Sequence, residues 1–284
     1  MRRTRRRFAD KERRENRLGG LLIGGSVLAV VAVVVVLVVG KSPQLDARTG
    51  CPLTHRSPPA HTVILIDQTD VLPASEVSYA RELIYNEYYW LPLYGQLTIL
   101  NIMPSGVEQE SPIILCRMPD SDEVSAITNT PAAIRRRFEQ RAGARLTESL
   151  TRITRMTAQN QSPIMESISQ VIQRTDFADD VPSRRLVILS DMAQNSGSYS
   201  DYGRIGWSAQ RVDSRFRPDM SGVAVRVHYI RRAGLPFQGG VHERNWINYF
   251  NLAGATDVAI GHRLQLGEAP NRRVWHSGES SQSK

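Results

Sequence analysis

The chain has 284 residues and 41% hydrophobic content, enough for one domain with a sizeable core and additional terminal segments. Its formal net charge is +8, but residues 1–17 contribute nine basic and three acidic side chains to that total. The rest of the chain is therefore close to neutral, which argues against nucleic-acid binding by the folded part.

Residues 18–40 form an uncharged stretch that is dense in Val and Leu. As a helix this stretch would extend about 34 Å, which matches a hydrocarbon core of about 30 Å. A cleaved signal peptide has a shorter apolar region and a small-residue cleavage site, so a retained transmembrane signal anchor is predicted instead. Because the basic residues 1–17 precede it, the amino end is predicted to be cytoplasmic.

This topology predicts a bacterial inner-membrane protein that crosses the membrane once and exposes its main domain to the periplasm. After the tail (1–17) and the transmembrane helix (18–40), residues 41–60 are predicted to be a linker rich in Pro, Ser and Thr. Residues 61–268 would form the domain, and residues 269–284 a disordered tail.

The domain begins with an apolar run, residues 63–66, that leads straight into Asp67. A run without alternation is typical of a strand covered on both faces. A helix over residues 74–90 and a second strand over 96–103 follow. Pro112 makes the short strand at 111–116 an edge strand, since proline cannot donate to a central ladder.

The rest of the domain continues the alternation of helices and strands. The hydrophobic periodicity predicts helices from residue 130 to about 153, over 164–174 and over 243–253, with a weaker one at 207–216, and strands over 184–191, 223–230 and 257–266. This order predicts an α/β fold with a doubly wound, mostly parallel six-stranded sheet and one short antiparallel edge strand.

The sequence leaves two interpretations open for several other side chains. Cys51 and Cys116 could pair in an oxidising compartment or remain ordinary thiols, because spacing alone does not show that they approach each other. His228, inside a predicted strand, is interpreted as a packed core histidine and not as a base. Aromatic residues near the end of the first helix are interpreted as core, with a partner surface as the alternative: Tyr85, Tyr88, Tyr89, Trp90 and Tyr94.

Short polar side chains follow the predicted strands at their carboxyl ends, where open α/β sheets bind ligands. Asp67 and Thr69 follow the first strand, and Ser190 and Asp191 end the strand at 184–191. Ser162 stands before Pro163, in a position that favours the N-cap of the next helix. All of these residues are predicted to lie at one edge of the sheet.

In these motifs and in the order of its elements, the chain resembles the von Willebrand factor A (vWA) family. That family has a metal-ion-dependent adhesion site made of a DxSxS loop, a later Thr and a later Asp. The resemblance implies a Mg²⁺ or other divalent cation held by Asp67, Thr69, Ser162 and Asp191, with a partner's carboxylate as the last ligand. Val71 stands where the second Ser of the motif would be, which removes one hydroxyl ligand.

An alternative resemblance is to haloacid-dehalogenase phosphatases, in which Asp67 would be a nucleophile and Ser190 would hold a phosphoryl oxygen. Such an enzyme needs a cation near the phosphate and an acidic pair that holds magnesium. The chain has no lysine between Lys41 and Lys284 to supply that cation. After the strand at 223–230, Arg231 and Arg232 stand in place of the acidic pair. The sequence therefore favours a protein that is not an enzyme.

The function expected from the sequence is that of a membrane-anchored module that binds another protein. The partner would contact the loops at the carboxyl ends of the strands, which are residues 67–73, 104–110, 159–163, 192–204 and 231–240. The sequence does not identify the partner, which could belong to an envelope complex or to an assembly linked to an ATPase. A metal-free structural component of an envelope complex is the remaining alternative.

Overall fold

The computed structural model describes most of the predicted domain. The described residues are 26, 30, 44–53, 57–69, 74–110, 112–117, 136, 139–144, 146, 147, 150, 151, 159–203 and 206–262. The chain divides into two compact units, Met1–Gln44 and Leu45–Lys284. Within the described part of the chain, no helix has the length and apolar character needed to cross a membrane. Nearly all of the predicted transmembrane segment, and the whole predicted tail 269–284, lie outside that part.

The second unit is built on a seven-stranded sheet. Its strands are β1 (His61–Asp67), β2 (Gln96–Met103), β3 (Gly106–Val107), β4 (Ile113–Cys116), β5 (Arg184–Ser190), β6 (Val223–Tyr229) and β7 (Asp257–Gly261). The order is β3-β2-β1-β5-β6-β7, and β4 also pairs with β2.

The five long strands are parallel, whereas β3 and β4 both run antiparallel to β2. The predicted fold class is confirmed. The predicted count of six strands is wrong by one, because β3 has only two residues and leaves no hydrophobic pattern in the sequence.

Both faces of the sheet are covered, as the uninterrupted apolar run of β1 predicts. All seven residues of β1 are buried. Val63 and Leu65 belong to one core cluster, and Ile64 and Ile66 belong to a second cluster. Since successive side chains of a strand point to opposite faces, the two clusters lie on opposite sides of the sheet.

Among the described residues, three α-helices pack on the sheet, α1 (Ala74–Tyr89), α2 (Ile164–Ile172) and α3 (Gly240–Leu252), and a short π-helix spans Glu139–Gly143. Each α-helix agrees with its predicted segment, although α3 begins three residues early. Gly254 follows α3 with a positive φ of 88°, a conformation that favours glycine and ends the helix.

One segment differs from the helix that the sequence predicts, and a second predicted helix is mostly untested. Residues 207–216 contain only two short 3₁₀ turns, Ala209–Arg211 and Ser214–Phe216, so the predicted helix is wrong there. Its apolar residues lack helical spacing, and the segment instead packs Trp207 and Ala209 against α3. Most of the helix predicted from residue 130 lies outside the described residues.

The aromatic residues at the end of α1 divide between core and surface. Tyr85 and Tyr88 are buried, which confirms the core interpretation for them, whereas Trp90 is 39% exposed. His228 is also buried, and its Nδ1 lies 2.5 Å from the hydroxyl of Tyr79. Burial, reinforced by nearby Arg226, lowers the pKa of His228 to about 4.

Cys51 and Cys116 form a disulfide, which decides between the two readings of these residues. It joins β4 to a short segment at the start of the domain. The same segment accepts a hydrogen bond at Thr49 O from the backbone N–H of Cys116, over 2.9 Å. Part of the predicted linker 41–60 is therefore held against the edge of the sheet.

Candidate functional site

Two strand ends bring the predicted site residues together. Strands β1 and β5 are parallel neighbours, and Ile66 is in register with Leu189. Asp67 and Ser190 consequently leave the sheet side by side. The crossover before β5 ends in α2, which begins two residues after Ser162, so this hydroxyl also reaches the same edge.

Asp67 is the centre of this cluster. One of its carboxylate oxygens, Oδ1, accepts hydrogen bonds from the backbone N–H of Thr69 (3.0 Å) and from the Thr69 hydroxyl (2.6 Å). The other, Oδ2, accepts from the hydroxyls of Ser190 (2.7 Å) and Ser162 (3.3 Å). A carboxylate has about four lone-pair positions, so these four bonds use its acceptor capacity.

Ser162 does not cap α2 as predicted. Pro163 is the N-cap residue of α2, and its side chain makes no capping hydrogen bond. The side chain of Gln194 takes over this role, because its Oε1 accepts from the backbone N–H of Met165 over 3.0 Å. Backbone hydrogen bonds in both directions between Ser162 and Asn195 (2.8 and 2.9 Å) tie the same loop to the helix entry.

Asp191 lies beside the cluster, but its carboxylate faces other groups. Its Oδ1 accepts from the backbone N–H of Ala193 over 2.9 Å. Its Oδ2 lies 2.6 Å from Nε of Arg232, and the two side chains are 5% and 22% exposed. The pair joins the residue after β5 to the loop after β6.

An open polar cavity of about 250 Å³ lies above these residues. Three of the four predicted metal ligands line it, namely Thr69, Ser162 and Asp191. Gln159, Asn160 and Asn195 add amide groups. Hydroxyl and amide groups both donate and accept hydrogen bonds, so the cavity is suited to a polar ligand.

A second cavity, of about 520 Å³, lies next to the first and is more apolar in character. Trp207, Phe237 and Val241 line it. The ring of Tyr202, at the first cavity, contacts the ring of Phe237 in an edge-on arrangement with centroids 5.3 Å apart. Tyr202 is 58% exposed and Val241 is 74% exposed, so the two cavities share an aromatic rim that solvent reaches.

Buried polar groups support the wall between the cavities. Nδ1 of His242 lies 2.7 Å from the hydroxyl of Tyr229, and its Nε2 lies 3.1 Å from Oδ2 of Asp201. Asp201 in turn accepts from the backbone N–H of Gln194 over 2.9 Å. Burial raises the pKa of the Tyr229 phenol well above its usual range, and nearby carboxylates add to the effect. The network fixes residues 194–201 to α3.

In this arrangement the predicted ligands do not fit a divalent cation. The family's aspartates hold the waters of the ion, but the acceptor positions of Asp67 are already used by four hydrogen bonds. Asp191 is paired with Arg232, whose positive charge would repel a cation. Val71 lies outside the described residues. Cation binding stays a prediction from the sequence, and it would require Asp191 and Arg232 to separate.

The sequence indicated most of the residues that meet at this edge, but not their partners. Gln194, Asn195 and Gln238 have no local pattern that marks them. Arg232 follows β6, where the phosphatase alternative would need carboxylates, and this position is the one signal that the sequence offers for it. Its ion pair depends on β5 and β6 being neighbours, which the residue types alone do not show.

The strand order and the polar residues that meet at the carboxyl ends of the strands define an α/β domain with a mostly parallel sheet. No protein-family model matches the chain, and neither does any curated protein.

Solved structures similar to the chain include the VWA domain of SpRpn10, with 13% identity over 78% of this chain and 99% of that one (TM-score 0.35). An aerotolerance-related membrane protein from Bacteroides fragilis has 11% identity over 72% and 92% (TM-score 0.38). The conserved hypothetical protein BatB from Bacteroides thetaiotaomicron has 10% identity over 72% and 90% (TM-score 0.37).

Proposed function

We propose that this protein is a membrane-anchored interaction module that binds a partner protein through the loops at the carboxyl ends of its strands. The observation that carries the proposal is the pair of adjoining cavities at this edge, one polar and one lined by both polar side chains and the apolar side chains of Trp207, Phe237 and Val241. Protein interfaces combine an apolar, aromatic centre with polar groups around it, and this edge offers both.

The contacts of Asp67 support a binding site over an enzyme. A nucleophilic carboxylate needs a free oxygen that faces the substrate, but Asp67 is 5% exposed and accepts four hydrogen bonds. Its role in the proposal is to hold Thr69, Ser162 and Ser190 in place. The phosphatase alternative also lacks a lysine anywhere from residue 42 to residue 283.

The proposed location is the bacterial inner membrane, with residues 1–17 in the cytoplasm, residues 18–40 across the bilayer and the domain in the periplasm. The disulfide between Cys51 and Cys116 supports this side of the membrane, since disulfides persist in oxidising compartments such as the periplasm. The partner would then be a component of the cell envelope, such as an envelope complex or an assembly linked to an ATPase.

A cation-dependent form of the proposal is the alternative. In it, Mg²⁺ held by Asp67, Thr69, Ser162 and Asp191 would take a carboxylate of the partner as its last ligand. This form rests on the family resemblance, and it requires a rearrangement of the ion pair at Asp191.

Site-specific photo-crosslinking in native membranes tests the proposed surface. A photoreactive residue at Tyr202 or Val241 of the full-length protein is expected to capture a partner in a defined band. The matched control is Leu93, which is similarly apolar and 38% exposed but precedes β2, at the opposite end of the sheet. Equal capture from Leu93, or no band from Tyr202 and Val241, would contradict the proposal.

Substitution at the shared rim tests the same surface quantitatively. Tyr202→Ala is expected to weaken binding of the captured partner about tenfold or more, because exposed aromatic residues at the centre of an interface carry much of its binding energy. Leu93→Ala is expected to leave the affinity unchanged. Phosphatase activity that disappears in Asp67→Asn would instead favour the enzyme.

A further inference from the structure

We infer that Arg232 is a built-in cation of the site: its guanidinium supplies, next to Asp191, the positive charge that a divalent ion supplies in metal-dependent adhesion sites. Partner recognition at this edge is then independent of metal. The inference rests on the proposed function only for the use of the edge as a binding surface. The ion pair and its consequence for cations can be measured without any partner.

The positive charge of Arg232 lies directly beside Asp191. Nε of Arg232 lies 2.6 Å from Oδ2 of Asp191, and both side chains are largely shielded from water. A charge pair that is shielded in this way is screened by salt much less than a surface pair. The ion pair between the guanidinium and Asp191 is therefore expected to persist as the salt concentration changes.

The side chain of Gln238 holds both members of the ion pair between Asp191 and Arg232 in place. The side chain of Gln238 accepts from the backbone N–H of Arg232 over 2.7 Å. Its Nε2 donates to the carbonyl oxygens of Asp191 (2.8 Å) and Ile230 (3.0 Å). One glutamine thus fixes the backbone at both members of the pair, so the guanidinium is positioned before a partner arrives.

Few ligand atoms at this edge of the sheet remain available to a cation. Asp67 is occupied by four hydrogen bonds, and Asp191 is neutralised. The hydroxyls of Thr69 and Ser162 give their protons to Asp67 and are neutral ligands. Among the described residues, two neutral hydroxyls beside a fixed guanidinium therefore remain, and they form a poor site for Mg²⁺, which prefers carboxylate and phosphate oxygens.

The resulting cavity recognises a partner by hydrogen bonds and not by a shared ion. Apart from Asp191, which is paired with Arg232, the described polar side chains that line it carry hydroxyls and amides. Such groups match the peptide groups and uncharged polar side chains of a protein segment. A partner acidic residue is not required, in contrast to a site that ends in a metal ion.

Thermal unfolding of the purified full-length protein in detergent, with and without millimolar Mn²⁺ or Mg²⁺, tests the inference. The wild type is expected to show the same midpoint in both conditions. Arg232→Gln leaves the carboxylate of Asp191 without its cation, so its midpoint is expected to fall and then to recover by about 2 °C or more when the metal is added.

Two matched variants separate charge from other effects. Arg232→Lys keeps a positive charge and is expected to remain insensitive to metal. Arg231→Gln removes a neighbouring charge that pairs with Glu243 and not with Asp191, so no response to metal is expected.

Stabilisation of the wild type by Mn²⁺ or Mg²⁺ would overturn the inference, because the site would then hold an ion beside Arg232. The inference would also be overturned if Arg232→Gln had a lower midpoint that metal did not raise. The ion pair between Arg232 and Asp191 would then be a structural contact only. If Arg232→Gln does not fold, crosslinking of the wild type at Tyr202 decides. Capture that persists in a chelator supports the inference, and capture that a chelator abolishes contradicts it. Absence of capture in both conditions contradicts the proposed surface, and the wild-type unfolding midpoint then decides the inference: a midpoint unchanged by metal supports it, and a midpoint raised by metal contradicts it.

Discussion

At the scale of single residues, four hydrogen bonds to Asp67 join three separate parts of the chain. Thr69 belongs to the loop after β1, Ser162 to the entry of α2, and Ser190 to the end of β5. A carboxylate at the end of a strand is compatible with catalysis, metal binding or a structural role. Here the contacts favour the structural role, because each acceptor position of the carboxylate faces a donor of the same domain.

Two buried histidines make stability depend on pH. Burial lowers the pKa of His61 and of His228 to about 4, from an ordinary value of 6.5. Between these values the unfolded chain binds protons that the folded protein does not, so stability falls as the pH decreases from about 6.5 to about 4. Acidification from pH 6.5 to pH 5 is expected to lower the free energy of unfolding by about 1.5 kcal/mol for each histidine.

Urea unfolding at several pH values measures this dependence. His228→Gln is expected to remove about half of the loss, because one of the two histidines no longer takes up a proton on unfolding. Gln210→Ala, at an exposed position and without a titratable group, is the control and is expected to keep the full slope. A stability that is constant between pH 6.5 and pH 5 would contradict the burial of neutral imidazoles.

At the scale of elements, the loop after β5 organises the entry of α2. This helix has only nine residues, and its N-cap side chain makes no capping hydrogen bond. The loop supplies the missing hydrogen bonds at the helix entry. The side chain of Gln194 accepts from the N–H of Met165, and the backbone of Asn195 pairs with that of Ser162. Because the same loop lines the polar cavity, the shape of the cavity is coupled to the position of the helix.

Gln194→Ala tests this coupling. Gln194 is completely buried, and its loss leaves the N–H of Met165 without its acceptor. The free energy of unfolding is expected to fall by about 1–2 kcal/mol, the usual cost of losing a helix cap or a buried hydrogen bond. Denaturant unfolding measures the change, and amide hydrogen exchange at Met165 should become faster.

Gln210→Ala is the matched control for that experiment. Gln210 is exposed in a short 3₁₀ turn, so its truncation is expected to change stability by less than about 0.5 kcal/mol. Equal effects of the two substitutions would mean that Gln194 does not cap the helix.

At the scale of the whole molecule, the sheet separates two cores, and the disulfide secures one edge. The alternating residues of β1 divide between the two clusters, so each face of the sheet needs its own cover of helices and loops. The short strands β3 and β4 both pair with β2. Cys51 then attaches the start of the domain to β4.

Removal of the disulfide tests its contribution to the stability of the domain. The bond closes a loop of 65 residues, for which the loss of chain entropy in the unfolded state predicts a stabilisation of about 4 kcal/mol. The double variant Cys51→Ser with Cys116→Ser is expected to unfold at a correspondingly lower denaturant concentration. Reductant is expected to destabilise the wild type but to leave the double variant unchanged; a wild type insensitive to reductant would contradict the prediction.

The strands were the most predictable part of the fold. Strand β2 has the predicted bounds, and β1 and β5 differ from their predicted segments only at the ends. Their signal is strong because burial on both faces requires an apolar residue at nearly every position. β3 and the 3₁₀ turns at residues 207–216 were not predictable, because tertiary contacts form them and the sequence there has no hydrophobic period.

The sequence by itself determined the alternation of strands and helices and the placement of Asp67, Thr69, Ser162 and Asp191 at one edge of the sheet. Those features follow from local hydrophobic patterns and from the rule that parallel strands end at the same edge. Only the tertiary structure decided the partners: Asp67 faces three hydroxyls, Asp191 faces Arg232, and Cys51 meets Cys116. The physical reason is that these contacts join residues distant in sequence, and side chains of the same type can form either a metal site or a closed network of hydrogen bonds and ion pairs.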